Sequence, residues 1–285
     1  METGTPIYVD PLTDYGFKLI FGDKELMMSF LNALFEKEGK VITSLTYINK
    51  EMTPESREDR TIFYDMRCKV NGEEDIIIEM QHKPQDTFRE RALFYMSRSI
   101  VAQGANKKNW RYKMHPVYGI FITNFHLKDV QMNGDPISEV VLKNRTTNEI
   151  FTDKLRMFFI DLLSFKKSEE ELDNDMERWI YNVKNMGTMT KEPKMASRKP
   201  FDRLYTMAEL AVMPRRERNR YEASLMHYRD MLADKETTRN MLKRGMAESR
   251  AEGRAEGRAE LKNEIIAAMR QRGMSEAEIA DILGM

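Results

Sequence analysis

Cysteine is almost absent from this chain of 285 residues, which contains only Cys68. A single thiol excludes an internal disulfide framework and a zinc site built from several cysteines. The sequence also lacks a Walker-type phosphate loop, a G-x-S-x-G motif and a dinucleotide-binding fingerprint, so several enzyme classes lose support. Four histidines show no metal-ligand spacing with one another or with the cysteine: His82, His115, His126 and His227.

Long apolar runs and a net charge are also missing. No segment approaches the roughly 20 apolar residues of a membrane span, and the N-terminal METGTPIYVD contains no apolar stretch, so a soluble, cytoplasmic protein is expected. Lys and Arg together number 46, as do Asp and Glu. Any surface that binds nucleic acid must therefore be local.

Apolar spacing predicts helices and strands in alternation. A helix is expected from the N-cap Asp23 to Gly39, and a capping box at 87–90 opens a second helix that ends at 103–104. Strands are predicted at 41–51, 116–123 and 155–162, with a polar loop at 54–59. Beyond residue 165 the pattern is helical at 169–184, at 201–212 and from 214 onward. The order predicts an α/β layered unit followed by helices.

The strongest strand signal lies in residues 61–70, TIFYDMRCKV. Even positions from 62 to 70 are apolar, whereas Asp65, Arg67 and Lys69 occupy odd positions, which is the period-two pattern of a strand with one buried face. An Asn-Gly pair at 71–72 then indicates a tight turn, and EEDIIIEMQ (73–81) predicts the returning strand of a hairpin.

Two registers are open for this hairpin. A two-residue turn would pair Val70 with Glu73 and would place Asp65 and Glu79 on opposite faces. A three-residue turn would pair Lys69 with Glu73 and would bring even positions to one face and odd positions to the other. The apolar pattern favours the second, because a one-residue slip moves every side chain of a strand to the other face.

In the favoured register, Asp65, Glu79 and Gln81 share the polar face. Carboxylates on adjacent strands suit Mg²⁺, which prefers oxygen ligands and usually takes one or two carboxylates besides waters and substrate phosphate. Such an ion polarises a scissile phosphate and lowers the pKa of an attacking water. Alternation alone also fits an ordinary solvated strand face.

The arrangement Asp65, hairpin, Glu79-Met80-Gln81, preceded by DYGFKLIFGDKELMMSFLNALF (14–35), resembles the PD-(D/E)XK nuclease superfamily. The similarity is closest to its recombination-promoting nuclease or putative transposase (Rpn-like) branch and covers about residues 8–165. The resemblance implies an α/β, restriction-endonuclease-like core, in which helices flank a mixed central sheet, with a helical C-terminal extension.

The resemblance also implies the chemistry, which is Mg²⁺- or Mn²⁺-dependent hydrolysis of DNA associated with recombination or transposition. Asp65, Glu79 and the backbone carbonyl of Met80 would bind the metal, and Gln81 would complete the catalytic set. Tyr64 stands where the motif has proline, and Gln81 replaces the usual lysine, although that branch often has Gln there. Because a neutral amide cannot stabilise developing charge as an ammonium can, slow or conditional cleavage is expected.

Two residues are candidate accessories. Asp14 precedes the first helix, where the superfamily often places another acidic residue, and it also suits a helix cap. Arg91 forms a helical stripe with Tyr95 and Arg98 beside the site that the resemblance implies. Arg91 is in a position to reach a phosphate, but the stripe also fits a solvated helix face.

A basic, aromatic segment offers a weaker DNA-binding candidate. Its cations suit phosphate neutralisation and its aromatic residues suit contacts to bases or sugars, although an ordinary charged surface loop has the same composition. The candidate residues are Lys107, Lys108, Arg111 and Lys113.

The sequence suggests three parts: a nuclease-like core at 1–165, a helical extension at 166–240 and a charged tail at 241–285. The tail contains four tetrads in a row from 247 to 262, AESR, AEGR, AEGR and AELK, followed by a predicted helical hairpin. On a helix the four alanines would form a narrow stripe between a Glu row and an Arg row. A parallel pair of such helices would oppose Glu to Arg, which favours a homodimer over a solvated linker.

Two functions remain open at this level. The first is a metal-dependent DNA endonuclease, and the second is a catalytically weak or inactive DNA-binding or assembly protein on a nuclease fold.

The tail makes a testable prediction. Because one such helix buries little surface, and glycines at 253 and 257 each cost about 1 kcal/mol relative to alanine, the tail needs a partner to be stable. Truncation after Leu242 should convert a dimer into a monomer in light scattering. An unchanged mass would remove the case for a dimer through the tail.

Overall fold

The computed structural model describes residues 4–48, 51–52, 62–63, 65–104, 111–127, 135–271 and 275. Its helices are α1 (Asp14–Gly22), α2 (Lys24–Phe35), α3 (Phe88–Gly104), α4 (Asp175–Asn185), α5 (Phe201–Ala208) and α6 (Arg215–Gln271). Its strands are β1 (Leu45–Tyr47), β2 (Glu51–Met52), β3 (Ile62–Phe63), β4 (Met66–Val70), β5 (Glu74–Gln81), β6 (Val117–Thr123), β7 (Ile137–Lys143) and β8 (Ile150–Asp161). Within these ranges, no helix has the length and apolar character needed to cross a membrane.

Six strands form one mixed sheet in the order β1-β4-β5-β6-β8-β7. The central strands β5, β6 and β8 run parallel, whereas β1, β4 and β7 pair antiparallel with their neighbours. Every residue of β6 is buried, as expected for a parallel strand covered on both faces. The mixed sheet flanked by helices that the sequence predicted is therefore confirmed.

The two faces of the sheet carry separate hydrophobic clusters. Ile76 and Ile78 of β5 belong to the larger cluster, which includes residues of α1, α2, α4 and α5. Ile77 belongs to the smaller cluster, which α3 covers with Phe88, Ala92 and Met96. Because alternate side chains of a strand point to opposite faces, the odd positions of β5 face α3.

Gly119 on β6 lies beneath α3. A Cβ atom at this position would come within 2.8 Å of the Met96 sulfur and 2.6 Å of the Phe121 ring, well inside van der Waals contact. A residue without a side chain therefore permits the close approach of α3 to the sheet.

The helices beyond residue 165 share the larger cluster with α1 and α2. Trp179 of α4 contacts the rings of Phe21, Phe30 and Phe201. The chain divides into two compact units, Met1–Tyr228 and Arg229–Met285. The three-part division at 165 and 240 stays a prediction.

The β4–β5 hairpin has the expected parity but a different register. Even positions pair with even ones, as in Met66 with Ile78, so the favoured face assignment is confirmed. The predicted pairing of Lys69 with Glu73 is wrong, because Lys69 pairs with Asp75 and the turn occupies positions 71–73.

Most predicted elements are present with altered bounds. Asp23 caps α2, and α3, β6 and β8 lie where the pattern placed them. The predicted strand at 41–51 contains only β1 and the start of β2, and α4 and α5 are shorter than predicted. The helix α1 and the edge strand β7 were not predicted, and the polar loop at 54–59 lies outside the described residues.

The tetrad repeat is helical, as predicted, because α6 extends over 57 residues from Arg215 to Gln271. Ala247, Ala251 and Ala259 are exposed, and a Cβ placed on Gly253 would meet no described atom within 4 Å apart from its chain neighbours and the backbone of its own helix. The small-residue stripe is thus open in this unit. The turn and second helix of the predicted terminal hairpin lie outside the described residues.

Candidate active site

Asp65 and Glu79 hold each other through the backbone of the hairpin. The Asp65 N–H donates to Glu79 Oε1 at 3.1 Å, and the Met80 N–H donates to Asp65 Oδ2 at 2.8 Å. Asp65 lies in a bend directly before β4, so these bonds replace the regular ladder at this point. Each carboxylate therefore has one oxygen fixed by a main-chain donor of the other strand.

Burial makes the charged form of Glu79 costly. Its residue is only 6% exposed. Desolvation, and after it the negative charge of Asp65, raise the pKa of the Glu79 carboxyl to about 8, against the opposing effects of the Asp65 N–H and the Arg91 charge. A cation between the two carboxylates would relieve both causes of this shift.

The donor set fits a hard divalent cation. Two carboxylates at one end of the hairpin are what a Mg²⁺ site with additional water and phosphate ligands requires. Among the described residues, no group of three or more His, Cys, Asp or Glu side chains gathers, so a closed cage of protein ligands is not formed there. The pair Asp65 and Glu79 would hold such an ion with most of its coordination left for substrate and water.

Gln81 lies on the same side as Glu79 and contacts α3. The Gln81 Oε1 atom accepts a hydrogen bond of 2.6 Å from Arg91, and its Nε2 atom donates to the Lys83 carbonyl at 3.2 Å. Met80 points the other way, into the larger hydrophobic cluster. The structure thus brings Asp65, Glu79, Gln81 and Arg91 together.

Tyr95 also belongs to this group, although the sequence singled it out only as part of a helical stripe. Burial, followed by the negative charge of Glu79, raises the pKa of its phenol, and Asp65 adds to the effect while Arg91 opposes it. The signal that could have identified Tyr95 is its position one turn after Arg91, which puts both residues on the face of α3 above the hairpin.

Asp14 does not join the site. Its exposed carboxylate pairs with Lys18 one turn later at 2.5 Å. The cap of α1 is Thr13, whose hydroxyl accepts from the Gly16 N–H, so the capping alternative for Asp14 is wrong. An accessory role for Asp14 stays a prediction that no contact in the described part of the chain supports.

The described part of the basic segment, from Arg111 to Lys113, precedes the strand that begins beside the other end of β5. Arg111 and Lys113 are exposed, whereas Lys107 and Lys108 lie outside the described residues. The segment leads into β6 at Val117, which pairs with Asp75, four residues before Glu79 and hence roughly 13 Å along the strand. A contact between this segment and DNA would lie away from the carboxylate pair, along a longer stretch of the nucleic acid.

Comparison with protein families connects the chain to a family of nucleases. A model described as PD-(D/E)XK nuclease family transposase matches residues 11–238, a range that includes the hairpin and α3. Comparisons with curated proteins and with solved structures give no significant match.

The raised pKa of Glu79 predicts a pH-dependent effect of Glu79→Gln on stability. Between pH 4.5 and about 8 the unfolded chain has lost this proton and the native chain has kept it, so native stability falls as the pH rises. Glutamine does not titrate, so the stability of Glu79→Gln relative to wild type should increase across this range in metal-free buffer. Denaturant unfolding at several pH values measures the difference.

The control for this measurement is Glu260→Gln, the same change at an exposed residue of α6. A pH-independent difference between Glu79→Gln and wild type would contradict the raised pKa.

Proposed function

The chain belongs to the PD-(D/E)XK nuclease family of transposases, and we propose that it is an endonuclease that hydrolyses phosphodiester bonds of DNA with Mg²⁺ or Mn²⁺. The observation that supports this activity most directly is the reciprocal bonding of Asp65 and Glu79, which sets two carboxylates side by side in a partly desolvated position. Recombination or transposition is the process in which such cleavage would serve.

Asp65, Glu79 and the Met80 backbone carbonyl would hold the metal ion. A bound ion supplies charge neutralisation at the scissile phosphate and lowers the pKa of a water ligand. Glu79 must give up its proton to act as a ligand, so affinity for the ion should rise as the pH approaches about 8. The helix α3 covers the face of the hairpin on which Glu79 lies and shields it from bulk water. This shielding strengthens the electrostatic interactions of the site.

The second candidate function is a catalytically weak or inactive DNA-binding or assembly protein. It is favoured by Gln81, whose neutral amide stands in place of a lysine and is already bonded to Arg91 and Lys83. Metal-independent DNA binding without any cleavage would support this alternative.

Self-association through α6 is part of the same proposal. The exposed alanines of the tetrads leave room for a second helix, and the flanking rows of Glu and Arg would face their opposites in a parallel pair.

Asp65→Asn should abolish metal-stimulated cleavage and leave the fold intact. The asparagine Oδ1 can still accept the Met80 N–H, whereas the negative charge that binds the cation is lost. Nicking of supercoiled plasmid in Mg²⁺ or Mn²⁺ should fall to the rate measured with a chelator, while the unfolding midpoint stays near wild type.

Asp153→Asn, at an exposed position of β8, is the matched control and should cleave like wild type. Full activity in both Asp65→Asn and Asp65→Ala would reject the site assignment.

The basic segment should contribute to DNA affinity through phosphate contacts. Joint replacement of Lys107, Lys108, Arg111 and Lys113 by alanine should weaken binding and flatten its dependence on salt by roughly one unit of slope per lost contact. Fluorescence anisotropy of labelled duplex over a range of salt concentrations measures the slope. An unchanged slope would make the segment an ordinary charged surface.

A further inference from the structure

Arg91 reaches from α3 to the end of β5 and is fixed there by two amides. Its two terminal nitrogens donate to Gln81 Oε1 at 2.6 Å and to Gln85 Oε1 at 2.8 Å. A guanidinium group carries five N–H donors, so these two bonds leave donors available for an anion. Both partners are neutral, and the positive charge of Arg91 is therefore not cancelled by them.

Aromatic rings fix the same guanidinium from α3 itself. The Arg91 Cζ atom lies 5.5 Å from the centroid of the Phe88 ring and 5.7 Å from that of Tyr95, within the range of cation–π attraction. Phe88 is buried in the cluster beneath α3, so this support is rigid. The charge of Arg91 also acts on Glu79, because it lowers the pKa of that carboxyl.

We propose that Arg91 supplies to the scissile phosphate the positive charge that a lysine at position 81 would supply, and that Gln81 is the positioning residue that aims it. This role rests on the proposed nuclease function. It changes the part that Gln81 plays in the expected catalytic set from a reacting group to a positioning group, and it explains how a site with a neutral amide at this position can stabilise developing negative charge.

The charge balance of hydrolysis defines what Arg91 does. The oxygen of a water molecule bonds to phosphorus, the bond from phosphorus to the leaving oxygen breaks, and the proton released by the water is returned through solvent to the leaving oxygen. Negative charge grows on the phosphate oxygens between these events. Arg91 donates hydrogen bonds from its N–H groups to those oxygens. Its guanidinium is planar and permanently charged, which suits it to phosphate.

A double-mutant cycle tests the assignment. Single-turnover nicking is measured for wild type, Arg91→Ala, Gln81→Lys and the double variant, with unfolding midpoints as the check on folding. In the wild-type background, Arg91→Ala should slow cleavage by about 100- to 1,000-fold, as expected for loss of one preorganised charge donor. In the Gln81→Lys background, the same change should cost less than about 10-fold, because the lysine supplies the charge.

Arg89→Ala removes an exposed arginine from the same helix and should leave the cleavage rate unchanged in both backgrounds.

A second readout, the affinity for DNA, needs no activity. In chelator, loss of one phosphate contact in Arg91→Ala should reduce the salt slope of DNA binding by about one unit.

The outcomes separate this role from the proposed function. Equal losses from Arg91→Ala in both backgrounds, with folding intact, would overturn the role of Arg91 and leave the nuclease in place. An unchanged salt slope would also count against it. Absence of any metal-stimulated cleavage by the wild-type chain would reject the nuclease, and the charge-supply role of Arg91 with it.

Discussion

The reciprocal bonds between Asp65 and the Glu79–Met80 strand are the constraint on which the site depends. Burial makes the charged form of Glu79 costly, and repulsion by the Asp65 carboxylate adds to that cost, so the pKa of the Glu79 carboxyl is raised. Main-chain donors at 3.1 Å and 2.8 Å hold them together despite this cost. One donor belongs to β5 and the other to the residue directly before β4, so the pair is tied to the main chain of the hairpin, and the unfavourable electrostatics remain available to favour a bound cation.

The face on which the site lies could be predicted from the sequence, but its register could not. Alternation decided which residues of β4 and β5 share a face, since a one-residue slip would have moved Ile76 and Ile78 away from the face that holds the apolar side chains of β4. The turn itself was predicted, but its shift by one residue was not, because Asn71 is held by a distant segment. Its amide bonds to Thr43 and to the Val41 carbonyl, and its backbone takes a left-handed conformation. Local turn rules contain no information on such contacts.

Two elements, α1 and β7, were not predicted from the sequence, for related reasons. The helix α1 has only nine residues, with glycine at its third position and at its end, and packing of Phe17, Ile20 and Phe21 stabilises it more than propensity does. The strand β7 is an edge strand with no fully buried residue, so its sequence carries no clear burial pattern. At the site, the sequence predicted that Asp65, Glu79 and Gln81 lie on one face of the hairpin. The hydrogen bond between Gln81 and Arg91 was not predictable, because it depends on how closely α3 packs against the sheet.

The distance between α3 and the sheet depends on Gly119, a residue with no functional group. The space that a methyl group would need there is already occupied by Met96 of α3 and by Phe121. Any larger residue would have to displace the side chains of Met96 and Phe121, which pack between the sheet and α3, the helix that carries Arg91 and Tyr95. A substitution in the buried sheet would therefore disturb the packing beneath Arg91 and Tyr95 while every polar group of the candidate site is kept.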